Sequence, residues 1–131
     1  MLEDLGKLLL RVGLGGLLLF HGVHKLLIGL EPIKAMLVSH NIPDVVAYGA
    51  YLGELLAPVL VILGVFSRIG GVLIALDIVV AVLLARAADL LLLSPATGAY
   101  ALETEVLYLA AALAVALFGA GRISLGGKRW N

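Results

Sequence analysis

The chain has 131 residues, 63% of them hydrophobic and only 14% charged, with a mean hydropathy of +1.15. A water-soluble domain runs nearer half apolar and a quarter charged, so a soluble chain of this composition would leave a large apolar surface facing water. The formal net charge of zero gives no basic footprint for nucleic acid, and the absence of cysteine excludes disulfides, thiolate metal sites and iron–sulfur ligation within the chain. These limits point to an all-α integral membrane protein, a four-helix bundle forming a single domain over 1–131, with the lipid bilayer as its solvent.

The first span is expected over about 5–30. It is too long for a signal-peptide core and no small-x-small cleavage site follows it, so a retained helix is expected. A polar break from Glu31 to Asp44 carries Pro32 and Pro43 at its edges. Inside it Ile33, Met36 and Leu37 fall at helical spacing, which predicts a short interfacial helix. The second span is expected over about 45–66, with a tight turn at Ser67-Arg68, and the third over about 69–93. Ser94-Pro95-Ala96-Thr97-Gly98 reads as a loop. The fourth span, about 99–118, ends at Gly119-Ala120-Gly121 and is followed by a polar tail.

Four crossings put both termini on one side together with Arg68. That side holds Lys7, Arg68, Arg122, Lys128 and Arg129. The other side has Lys34, with Lys25 and Arg86 near helix ends, accompanied by Glu31, Asp44 and Asp89. The bias predicts cytoplasmic termini in a cell (inner) membrane. Trp130 and Tyr100 suit interfacial positions. Gly49, Gly53 and Ala57 recur every four residues, and Gly15 and Gly22 line the first span, as faces for close helix packing.

Charges inside the spans carry the most information, since each costs about 2.5–3.5 kcal/mol at the bilayer centre on insertion scales. At about 1.5 Å per residue, Arg11 lies about 9 Å and Asp77 about 12 Å in from the same side, which predicts a structural ion pair between them. The others gather toward the opposite face: His21, His24 and Lys25 late in the first helix, Glu54 in the second, Arg86 and Asp89 closing the third, Glu103 and Glu105 opening the fourth. Two readings follow. In one, Lys25 or Arg86 pairs with Glu54 or Glu103 simply to lock the bundle. In the other, these groups line a polar pocket at the outer face for a polar-headed, apolar-tailed ligand. A quinone fits, with His21, Lys25 and Arg86 binding its headgroup and Glu54 and Glu103 carrying protons as the candidate catalytic groups. His21 and His24 cannot flank a haem from one helix face, and neither haem nor metal is expected. No phosphate-binding loop, dinucleotide fingerprint or nucleophile elbow is present.

At these residues the sequence resembles the DoxX family of small four-helix membrane proteins. The matching features are Arg11-x-Gly13, then Phe20-His21-Gly22-x-x-Lys25 and Gly53-Glu54. Leu63-Gly64-x-Phe66-x-Arg68, Asp77, Glu103 and the closing Gly119-x-Gly121-Arg122-x-Ser124-Leu125 follow in order. The resemblance implies a compact four-helix bundle. It also implies kinship with the membrane subunit of thiosulfate:quinone oxidoreductase, and with broader relatives that assist export or receptor assembly. By carry-over, Arg11, His21, Lys25, Glu54, Asp77 and Glu103 are the family-typical polar positions. The expectation is a quinone-binding membrane subunit of an oxidoreductase complex, with a protein partner subunit or as a homo-oligomer. The alternative is a non-catalytic assembly or anchoring protein.

Overall fold

In the computed structural model, which describes residues 1–127 and 131, the first helix (α1) runs from Leu2 to Ile28. Glu3 and Asp4 in its first turn and Lys25 in its last complement the helix dipole, and Gly29 ends it at φ +83°. At 27 residues it is about 40 Å long, more than the ~30 Å of a hydrocarbon core. The predicted short helix is α2, Glu31–Ser39, with Pro32 in its first turn, where the missing N–H costs nothing. Leu37 is buried with Leu30 and Ala47, seating α2 against the start of the next element.

That element, α3, spans Asp44–Leu63 and is not uniform. It opens as a 3₁₀ turn at Asp44–Tyr48 and widens to a π turn at Leu52–Leu56, where the Ala57 N–H bonds the Leu52 carbonyl. It then closes as regular helix over Ala57–Leu63. Pro58 explains the widening: it has no N–H to return to the Glu54 carbonyl, and its ring crowds that carbonyl. Gly64 terminates α3 in the left-handed region at φ +74°. The Val65 N–H bonds Leu60 O (3.0 Å) and the Gly64 N–H bonds Val61 O (3.3 Å), the paired bonds of a Schellman cap.

Helix α4 covers Ser67–Ala85 and α5 covers Glu103–Phe118. Gly71 permits their close packing, because a Cβ there would lie 2.7 Å from the Ala112 carbonyl. The third span therefore ends eight residues earlier than the hydropathy run to 93, and the fourth begins at 103 rather than 99. The reason is Arg86, whose side chain bonds Asp89, Glu105 and the Ala101 carbonyl, so the chain must turn back at that point. Residues 86–102 form a folded connection with a 3₁₀ turn at Ala87–Asp89 and a Leu93–Tyr100 bridge.

Leu14, Leu18, Ala57, Val61, Ile74, Ala75, Ile78, Ala112 and Val115 form the core, drawn from α1, α3, α4 and α5. Large apolar side chains cover the outside, among them Leu9, Phe20, Leu27 and Leu117, each at least three-quarters exposed. The charged Arg11 and Glu54 are instead buried, at 1% and 6% exposure. Charge inside and leucine outside is the arrangement of a protein whose solvent is lipid. The described residues contain no β-strand, and α1, α3 and α4 are each long and apolar enough to cross a membrane. The expectations for Lys128, Arg129 and Trp130 lie outside the described residues.

Candidate functional site

Two glycines set the site. A Cβ on Gly22 would collide with the Glu54 carbonyl, so α1 lies directly on the π turn of α3. A Cβ on Gly53 would collide with the Asp77 side chain, so α4 reaches the same turn from the other side. One helical turn after Gly22, Lys25 donates to Glu54 Oε2. The Lys25 carbonyl accepts a 3.5 Å bond from the Tyr51 hydroxyl. Lys25, Glu54 and Asp77, from three helices, thus meet around one widened turn.

All three border a cavity of about 460 Å³ between α2, α3 and α4, a size ordinary for small-molecule sites. Ile33, Met36, Leu73, Leu76, Val80 and Leu84 make most of its wall, so the polar groups occupy one end of an apolar chamber. The Glu54 side chain is 7% exposed and Lys25 24% exposed, and each satisfies the other. Asp77 differs. It lies within electrostatic reach of both, yet among the described residues its carboxyl has no hydrogen bond or ion pair.

The other expected site residues lie elsewhere. His21 is exposed, edge-on to Tyr108 of α5 at 6.4 Å between ring centres, and Glu103 is exposed at the start of α5. Neither borders the cavity. Arg86 forms its own cluster: Nε donates to Asp89 (3.2 Å), Nη1 to Glu105 and Nη2 to the Ala101 carbonyl (3.1 Å). The bonds to Asp89 first, and then Glu105, raise its pKa above the ordinary guanidinium value.

The expected Arg11–Asp77 pair does not form. Arg11 points to the other end of α3, where Nη1 donates to the carbonyls of Val61 (3.1 Å) and Ile62 (3.2 Å) and Nη2 to that of Ile123. The Val61 and Ile62 carbonyls lie in the last turn of α3, where intrahelical donors run out, and a cation at a helix C-terminus also meets the dipole favourably. The tail seals this end through Leu125 N–H to Leu63 O (3.0 Å) and Gly126 N–H to Gly64 O (3.1 Å). Matching depth along two helices cannot say which way either residue faces, and Arg11 and Asp77 face different neighbours. The signal available in sequence was Gly53-Glu54 followed by Pro58, which marks a distorted turn carrying an acid.

Among known proteins, the family model described as DoxX matches residues 6–87, which include α1 from Gly6 onward, α2, α3 and α4 and every residue of the cavity wall. No curated protein and no solved structure matches the chain.

Proposed function

The chain belongs to the DoxX family, and from that premise we propose that it is the membrane subunit of a quinone-linked oxidoreductase complex. The observation that carries this reading is the cavity with Lys25, Glu54 and Asp77 at one end and aliphatic side chains around the rest. A quinone presents carbonyl acceptors on a ring and an apolar tail. The Lys25 ammonium keeps two hydrogens beyond the one given to Glu54, enough to donate to a carbonyl. Leu73, Leu76, Val80 and Leu84 offer the tail the surface it needs. The quinone would supply the two-electron redox chemistry. Lys25 would orient the headgroup, Asp77 and Glu54 would hold or pass protons, and the walls would exclude water. A partner subunit carrying the electron donor completes the complex.

In this reading the chain is one domain in which α5 makes a fourth crossing. At 16 residues α5 is about 24 Å long, and the apolar stretch Leu90–Leu93 lies in the connection that precedes it. Both termini lie on the cytoplasmic side of the cell membrane, and the cavity faces the outer half of the bilayer. Binding of a short-tailed quinone to the chain in mild detergent tests the site. We expect Ala50→Phe, which fills the cavity, to weaken binding at least tenfold, while Phe on the exposed outer position Leu9 leaves it unchanged. Equal binding by wild type and Ala50→Phe would refute the site.

A second reading, a non-catalytic assembly or anchoring protein, draws support from the closed Lys25–Glu54 and Arg86–Glu105 pairs, which lock helices without a ligand. It predicts an empty, stable bundle with no quinone affinity.

A further inference from the structure

At the end of the molecule opposite the Lys25–Glu54 pair, a second cavity of about 450 Å³ opens where α1 and α4 begin and α5 ends. Its wall holds three basic side chains from distant parts of the chain: Lys7 of α1, Arg68 of α4 and Arg122 of the tail. The geometry points to a binding site here for the phosphate of an anionic phospholipid.

The basic groups are gathered around the turn Gly119-Ala120-Gly121, and the glycines are what let them close in. A Cβ on Gly119 would sit 3.0 Å from Arg68 Nε, and one on Gly121 would sit 3.1 Å from Lys7 Cδ. Both glycines have positive φ, +74° and +78°, so a side chain there would be strained as well as crowded. Arg68 Nη2 lies 3.5 Å from the Phe118 carbonyl, and Lys7 Nζ stands 5.9 Å from the Phe118 ring centre. Neither cation pairs with a carboxylate among the described residues. Of the two acids on the wall, Asp4 accepts the Arg122 backbone N–H at 3.0 Å and lies within electrostatic reach of Lys7 and Arg122, while Glu3 is exposed at the rim, so the basic groups outnumber the acids. Like charges gathered from three segments repel, and an anion between them removes that cost.

Position selects lipid over other phosphates. The cavity lies where three apolar helices start or stop, the level at which headgroups sit. Exposed Ile69 and Phe118 stand next in sequence to Arg68 and the turn, and offer an acyl chain an apolar path away from the phosphate. Basic pockets at such helix ends are general sites for anionic headgroups. The site shares no residue with the quinone cavity and does not depend on it.

Native mass spectrometry of the chain in mild detergent, with phosphatidylglycerol and phosphatidylcholine of the same acyl chains, tests the assignment. Phosphatidylglycerol is expected to be retained about tenfold more strongly. Lys7→Gln alone should lower that preference about fivefold. Lys7→Gln with Arg68→Gln should abolish it, while Lys34→Gln, at the other end, should leave it intact. Equal retention of the two lipids overturns the proposal, as does an equal loss in Lys34→Gln. Displacement of phosphatidylglycerol by millimolar inorganic phosphate would make this a free-anion site and overturn the lipid assignment. Should the double variant unfold, Lys7→Gln carries the test, because that side chain makes no hydrogen bond among the described residues.

Discussion

The two ends of α3 meet the same problem, a charge buried in a lipid-bathed bundle, in different ways. At the Gly64 end, Arg11 gives its Nη protons to three backbone carbonyls, and the tail closes over them. At the π turn, Glu54 is matched by Lys25, but Asp77 beside them borders a cavity with no bonded partner among the described residues. At the Arg11 end the cation is held by backbone oxygens on several sides, although Arg11 Nε and the Ser67 hydroxyl nearby keep no partner among the described residues. An unsatisfied carboxyl over an apolar chamber is a standing cost, and such costs collect where a ligand or a proton has business. The first end is architecture and the second is where chemistry has room.

Breaking each end should expose that contrast. The largest effect is expected for Lys25→Met, which strands the buried Glu54 carboxylate and should destabilise the bundle by about 3–5 kcal/mol. Thermal unfolding in detergent measures it. Adding Glu54→Leu should recover more than half of that loss, since a buried ion pair is replaceable by apolar groups as a unit. Failure of the double variant to recover would mean that Lys25 stabilises through something other than Glu54.

Arg11→Met comes next, at about 3 kcal/mol, because hydrogen bonds from a charged donor contribute about 1.5–3 kcal/mol each and the carbonyls they leave are shielded from water. Quinone affinity in the surviving folded fraction should be unchanged. A selective loss of binding in Arg11→Met would contradict the division between the two ends.

Gly22→Ala should cost about 1–3 kcal/mol by overpacking, since its new methyl meets the Glu54 carbonyl, and should also weaken ligand binding by shifting the π turn. Gly13→Ala, on the same helix but with open space around it, should gain up to about 1 kcal/mol from helix propensity alone. If the two substitutions behaved alike, the close approach of α1 to α3 would not be what places Glu54.

The membrane class, and the helices near 2–28, 31–39 and 44–63, were legible because apolar runs and Pro or Gly punctuation are local signals. The third span was overdrawn because Leu90–Leu93 is as apolar as a helix interior. Arg86 ends the helix through contacts 3, 15 and 19 residues on, which no hydropathy window sees. The candidate site was legible in part. Counting charges at one level groups Lys25 and Glu54 with His21, Glu103 and Arg86, and the structure sets only the first two against the cavity, because depth carries no direction. Equal depth pairs Asp77 with Arg11 in the sequence, whereas the close approach at Gly53 sets Asp77 against the turn that carries Glu54, a contact no depth count shows.

The finest test of the comparison is therefore Asp77→Asn, where a small structural change should carry a functional one. The substitution keeps the shape and removes the charge, and no bonded partner among the described residues is lost. Stability should move by less than about 1 kcal/mol, well below the shifts expected at Lys25 or Arg11. The pH dependence of quinone affinity should nonetheless be lost, because the amide still donates a hydrogen bond to a carbonyl but cannot take up or release a proton. A large drop in thermal stability with the pH dependence intact would reverse the assignment, making Asp77 a structural group whose partner forms only in the membrane. The π turn would then be packing geometry rather than the wall of a site.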